Sequence, residues 1–116
     1  EAYGLNSHLD CLRILEPVSF FDMLALEQGA YSIITDSGGM QKEAFFFGVP
    51  CLTIRDETEW IETVAEGGNK LVGVAPSGIV EGFREVISMR GIGPNSRVFG
   101  DGFAAKKIAN LICSQF

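Results

Sequence analysis

The residues of this chain best placed to do chemistry together fall in one short stretch, Asp36-Ser37-Gly38-Gly39, with Glu43 four residues after Gly39. A β-branched run, Tyr31–Thr35, precedes the stretch and an apolar run, Met40–Phe47, follows it, so it reads as the turn from a strand into a helix. Two glycines let the backbone turn sharply and let a ligand approach with no Cβ in the way. The first amides of the helix have no intrahelical partners, and with the helix dipole they make a site for a phosphate. Ser37 can add a hydroxyl donor. The spacing is neither GxGxxG nor GxxxxGK[ST], and an ordinary tight turn with Ser37 as N-cap accounts for the same four residues. Glu43 bears on that choice. At 1.5 Å per residue it stands about 6 Å beyond Gly39 on the same helix face, roughly the distance from a nucleotide's diphosphate to its ribose. A carboxylate there could accept from both ribose hydroxyls. The alternative is an acid favoured near a helix start by the dipole alone.

The elements that must position this turn alternate. Cys11–Glu16 reads as a strand ending at Pro17, and Phe20–Gly29 as a helix that carries Phe20, Met23, Leu24 and, one turn later, Glu27. After the strand Tyr31–Thr35 and the helix Met40–Phe47, stopped by Gly48 and Pro50, come a strand at Cys51–Ile54, a polar loop at Arg55–Thr58 and a short helix at Glu59–Glu66, closed by Gly67-Gly68. Lys70–Val74 reads as a strand. Pro76 can open a helix whose Ile79, Val80, Phe83, Val86 and Ile87 repeat at helical spacing. A glycine-rich connection, Gly91–Gly102, leads to a closing helix with Ala104, Ile108, Leu111 and Ile112 on one face. Apolar strands alternating with helices imply an α/β, doubly wound, Rossmann-like parallel sheet covered on both faces. Ligands of such sheets sit beyond the carboxyl ends of the strands. That directs attention to the turns after Thr35 and Ile54.

Composition narrows the function classes. The 116 residues are 47% hydrophobic and 21% charged, a globular mixture with enough apolar residues for a core. A net charge of −6 repels phosphate backbones, so no nucleic-acid partner is expected. No apolar run is long enough to span a bilayer and no membrane partner is expected; the chain does not begin with Met and reads as starting in mid-protein. Cys11, Cys51 and Cys113 are widely spaced and odd in number, which argues against disulfides and a zinc site. They read as small buried hydrophobes in a reducing, cytoplasmic setting. No metal or cofactor is expected.

The stretch TDSGGMQKEAFFFGVPCLTIRDETEW, Thr35–Trp60, resembles the non-hydrolysing UDP-N-acetylglucosamine 2-epimerases, which typically read TDSGG-x-QEEA, then a G-x-P strand, RD-x-TE and LVG. The resemblance runs back to Glu16-Pro17 and forward through Lys70–Gly73 to Phe99-Gly100-Asp101-Gly102, covering roughly residues 11–112. It implies a fold of the glycosyltransferase-B kind, with two Rossmann-like domains and a UDP-sugar in the cleft between them, of which these residues are part of the carboxy-terminal domain. By resemblance, Ser37, Gly38 and Gly39 contact the diphosphate and Glu43 the ribose. Pro17 and Val18, with Met23, lie near the uracil, and Arg55, Thr58 and Glu59 face the cleft.

The reaction the resemblance implies inverts C2 of UDP-N-acetylglucosamine to give UDP-N-acetylmannosamine, by elimination and re-addition of UDP. Acidic residues of the amino-terminal domain and a histidine early in the carboxy-terminal one serve it, so no catalytic residue is expected in this chain and the fragment is expected to be inactive alone. His8 reads as a surface residue. Three departures from the family pattern bear on the substrate: Met23 replaces an aromatic, Lys42 replaces a second Glu, and Trp60-Ile61 replaces a frequent Arg-Pro. Asp56 and Glu59 also fit a helix-capping pair. Two further family strands would precede Cys11, and in a 3-2-1-4-5-6 sheet they would lie between Cys11–Glu16 and Tyr31–Thr35. Lacking them, the chain is expected to rearrange its sheet or self-associate, as a homodimer for example. A glycosyltransferase of the same architecture, or a non-catalytic nucleotide-binding module, are the rival readings.

Overall fold

The computed structural model describes residues 10–89 and 96–115. Helices and strands alternate as α1 (Phe20–Gly29), β1 (Ile33–Thr35), α2 (Gly38–Phe47), β2 (Cys51–Thr53), α3 (Ile61–Ala65), β3 (Asn69–Leu71) and α4 (Pro76–Val86). Short 3-10 turns at Ile87–Met89 and Ser96–Phe99 precede α5 (Ala104–Gln115). The strands form a parallel sheet in the order β1-β2-β3, with Ile33 opposite Cys51 and Cys51 opposite Asn69. This is the Rossmann-like α/β class that the alternation predicts.

Local chemistry sets the helix ends. Ser19 caps α1, its hydroxyl accepting from the Asp22 amide at 3.2 Å while donating to the Asp22 carboxylate at 2.6 Å. At the far end of α2, Gly48 takes the left-handed conformation (φ 66°), and the next amide, Val49, bonds the Ala44 carbonyl at 2.9 Å. Pro76 occupies the first turn of α4, where its missing amide costs nothing.

The strands alternate their side chains between two covered faces. On one face Cys51 packs with Ile33, Ala44 and Val49, and with Ala30, Met40 and Phe47 around them, so α2 lies there. On the other, Leu52 is fully buried beneath α4. Gly82 makes that approach possible: a Cβ there would lie 3.5 Å from Leu52 Cδ2 and would collide with Val72 Cγ1. The α4 face is less complete toward β1, where Ile34 remains 49% exposed.

Three expectations need correction. Cys11–Glu16 is not a strand. It is irregular and exposed, Leu12, Ile14 and Leu15 included, and it does not pair with the edge of β1 that β2 leaves free. Apolar content alone does not make a strand; the segment must also be placed in register with an edge. Cys11 and Cys113 are exposed and outside any disulfide, and Cys51 is the buried hydrophobe expected. Burial pushes its thiol up to about 11. The apolar stripe of α5 forms at the predicted spacing, yet Ile108, Leu111 and Ile112 are exposed. Finally, Asp56 and Glu59 do not cap α3, whose N-cap is Trp60 with no side-chain cap bond. His8 and part of Gly91–Gly102 lie outside the described residues.

Candidate functional site

At the carboxyl end of β1, the Thr35 hydroxyl accepts from the Ser37 amide at 3.0 Å and donates to Met40 Sδ at 3.4 Å, bending the chain out of the sheet. Ser37 caps α2, though its bond from the Met40 amide is long, at 3.5 Å. The helix begins two residues earlier than the apolar run suggests, with both glycines inside it. Their amides find no acceptor among the described residues, and Gly39 is exposed. A Cβ on Gly39 would meet nothing nearer than Ser37 Oγ at 3.8 Å, so the space beside Gly39 is open. Unpaired, dipole-aligned amides at an open helix start are an anion site by construction.

The loop after β2 comes to the same place. The Glu59 carboxylate abuts Gly38, and Trp60 Nε1 stands 3.1 Å from where a Gly38 Cβ would be. Arg55 reaches across to Glu59 at 3.1 Å, half-exposed on both sides. The loop is anchored from beneath by polar side chains that sequence reading did not single out. The Thr58 hydroxyl donates to Gln41 Oε1 at 2.6 Å, and Asn69 Nδ2 donates to the same oxygen at 3.1 Å. Asn69 also donates to Thr63 Oγ1 at 3.1 Å and accepts from Thr53 at 2.7 Å. Gln41, Thr53, Thr63 and Asn69 are all buried, so these bonds act where water does not compete. The legible signal was a polar Gln41 one turn before the buried Phe45.

Above this network Lys42 lies over the Trp60 ring, 4.2 Å from its centroid, and 5.2 Å from that of Phe99. Phe99 in turn packs edge-on against Phe45 and Trp60. The FGDG segment and the TEW departure therefore belong to one cluster. Beyond it, Asp101 accepts from Lys107 at 2.6 Å and from the Phe103 amide, which hold its carboxyl below the usual range.

Glu43 lies half-buried on the α1 side of α2, one turn past Gly39. Facing it is Glu27, which is 2% exposed and was not expected to take part. Burial, and then the Glu43 charge, raise the Glu27 carboxyl above its ordinary range. Pro17, Val18 and Met23 are exposed around the start of α1, and no hydrogen bond joins them to the glycine turn. A groove of about 390 Å³ beside β3 and α4 is lined by Arg55, Asp56, Lys70 and Glu85 but by none of the turn residues. Its Lys70 is already paired with Glu85, which leaves the turn as the better anion site.

The turn, the carboxylate one helical turn later and the RDETEW loop thus stand around one helix start. Residues 2–113 match the family model described as UDP-N-acetylglucosamine 2-epimerase. The chain belongs to that family. Among the family's characterised members, the UDP-2,3-diacetamido-2,3-dideoxy-D-glucuronate 2-epimerase of Pseudomonas aeruginosa is 44% identical over 101 residues, covering 87% of this chain and 28% of that protein. A UDP-N-acetylglucosamine 2-epimerase of Methanococcus maripaludis is 40% identical over 107 residues, 92% of this chain and 28% of that one. The structure of the Methanocaldococcus jannaschii UDP-GlcNAc 2-epimerase in complex with UDP-GlcNAc and UDP superposes with a TM-score of 0.79 at 34% identity, over 97% of this chain and 32% of that chain. The family's glycosyltransferase-B-like fold thus extends to this chain, which spans under a third of its relatives' length.

Proposed function

We propose that this chain forms the UDP-holding wall of a non-hydrolysing UDP-sugar 2-epimerase. The Gly38 and Gly39 amides, with the Ser37 hydroxyl, bind the diphosphate, Glu43 accepts from the ribose hydroxyls, and Pro17, Val18 and Met23 border the uracil. Arg55, Thr58 and Glu59 face the sugar. The open amides at the start of α2, with a carboxylate one turn on, carry this reading. It is supported by the family membership and by the relative whose structure holds UDP-GlcNAc and UDP.

The whole protein's reaction is the interconversion of UDP-N-acetylglucosamine and UDP-N-acetylmannosamine, through elimination and re-addition of UDP, in the cytoplasm. Acid–base groups must stand on both faces of the sugar ring. We place that work outside these 116 residues, so the chain alone binds without turning over, and we take its open β1 edge to favour self-association. A second reading keeps the reaction and changes the sugar to a 2,3-diacetamido glucuronate. The observation favouring it is the 44% identity to the Pseudomonas aeruginosa enzyme.

Isothermal calorimetry with UDP tests the site. The chain binds UDP, and Glu43→Ala weakens it at least tenfold, the loss of charged hydrogen bonds of about 1.5–3 kcal/mol each. Equal binding by both would remove Glu43 from the site, and binding by neither would remove the site itself.

A further inference from the structure

Glu27 occupies a position where the spacing of α1 calls for a hydrophobe. Phe20, Met23 and Leu24 precede it at helical intervals, and it is the one buried residue of that helix. Neither of its carboxyl oxygens has a hydrogen-bond donor among the described residues. An isolated buried carboxylate is too costly to persist without a partner. The charged group that acts on it is another carboxyl, that of Glu43, half-buried on α2, the helix packed against α1. Of the charged groups of α2, Glu43 alone acts on Glu27, since Lys42 is drawn off over Trp60 and Phe99. The other acid of α1, Asp22, is held by Ser19 more than a turn away.

Two neighbouring carboxylates, one of them buried, cannot both stay ionised cheaply, and a single proton resolves the conflict. Protonation also changes what Glu27 can do, from an acceptor with no donor into a donor. The more deeply buried group is the one that keeps the proton, so Glu27 is the acid and the half-buried Glu43 the carboxylate. The resulting O–H···O⁻ bond is of the short, charge-assisted kind and fixes the rotamer of its acceptor.

We infer that Glu27 is a positioning residue: as a neutral carboxylic acid it donates to the Glu43 carboxylate and thereby holds Glu43 in the orientation that accepts from the nucleotide's sugar hydroxyls. The inference rests on the reading of Glu43 as the sugar-binding acid. Desolvation and the neighbouring charge, which raise the Glu27 carboxyl, act in the same direction. Above that raised value Glu27 gives up its proton, the bond is lost and Glu43 swings free.

Two measurements on the chain separate this inference from the function it rests on. The first follows the glutamate side-chain carboxyl carbons by NMR through a pH titration of wild type and Glu43→Gln. The Glu27 signal is expected to titrate above the ordinary carboxyl range in wild type and to fall part of the way back in the variant, where burial still acts. An ordinary titration in wild type, or one unmoved by Glu43→Gln, overturns the inference whether or not UDP binds. The second measures UDP affinity against pH for wild type, Glu27→Gln and Glu27→Leu. Wild-type affinity should fall about tenfold as pH rises through the Glu27 titration. Glu27→Gln, whose amide still donates, should stay within about threefold of the low-pH wild type and lose that pH dependence, while Glu27→Leu should be weak at every pH. The nucleotide's own ionisation is common to all three. Parallel pH profiles for wild type and Glu27→Gln would overturn the inference, and failure of wild type to bind would instead strike the glycine-turn reading.

Discussion

Gly39→Ala separates a ligand-binding glycine from an ordinary helical one, because the two make opposite demands on the residue. Gly39 is the second residue of α2, and its φ is not positive, so an alanine fits the backbone without strain. The added methyl meets only Ser37 Oγ, at 3.8 Å, an ordinary contact. In the free protein the substitution is therefore favourable. Alanine exceeds glycine by about 1 kcal/mol in a helix interior, and about half of that is reasonable in a first turn. At 4–8 °C per kcal/mol for a domain of this size, the melting temperature should rise by about 2–4 °C.

The same methyl stands over the amides proposed to hold the diphosphate. Such bonds form at about 2.7–2.9 Å, and a methyl beside the amide keeps a phosphate oxygen farther off. Loss of one charge-assisted bond, about 1.5–3 kcal/mol, weakens binding tenfold or more. Differential scanning fluorimetry and UDP calorimetry on one preparation give both numbers. A variant that is more stable and binds at least tenfold more weakly is the expected outcome. One that is more stable and binds as wild type would show that the turn is only a turn. Gly38→Ala is a less clean probe, since its Cβ displaces the Glu59 carboxylate and with it the Arg55 pair.

The buried network beneath the loop should be strongly non-additive. Asn69→Ala strands the Thr53 hydroxyl and should cost about 2–3 kcal/mol in urea denaturation, whereas adding Thr53→Val removes the orphan and should recover about 1 kcal/mol of it. Stability should also depend on pH through Glu27. Its folded-state value lies above the ordinary 4.5, so the folded chain binds the proton more tightly than the unfolded one; the stabilisation is fully present below 4.5 and is lost as pH rises through the raised value. Urea midpoints across that window should fall for wild type relative to Glu27→Gln. The shift at Asp101 is opposite in sign and acts only as pH falls below the ordinary carboxylate range, outside the window.

Most of the sheet was legible in the sequence because its signals are local. Thr35, Thr53 and Leu71 end short strands, each before a turn, and Gly48 and Pro76 mark helix boundaries through backbone constraints that no neighbour alters. Cys11–Glu16 was misread because its apolar residues are indistinguishable from a strand's until one asks which edge they pair with. The apolar stripe of α5 was correct as a pattern and silent about a partner. At the site, the glycine turn and Glu43 were legible from residue type and spacing. The Thr53–Asn69–Gln41–Thr58 network was not, since those residues lie up to 28 apart and none announces its contacts. Glu27 did leave a sign: an acid in register with hydrophobes.

Why one short helix carries so much follows from how α2 divides its faces. Ala44 and Met40 face the sheet and fix the helix over β1 and β2. Gln41 and Phe45 face the α3 side, where Gln41 holds the loop through Thr58 and Phe45 fills the space that Gly68 leaves open. Lys42 faces Trp60 and Phe99, and Glu43 faces Glu27. Every direction around the helix is thus committed, while the amides of Gly38 and Gly39 at its start have no acceptor among the described residues. A helix packed loosely on one side could rock and move those amides by the ångström that separates a good phosphate bond from a poor one. Here rocking would have to break the buried amide network on one side or the carboxyl pair on the other. The rigidity that holds the anion site therefore comes from polar residues with no direct claim on the ligand, and substitutions should reach UDP binding through the orientation of α2 at Asn69 and through that of Glu43 at Glu27.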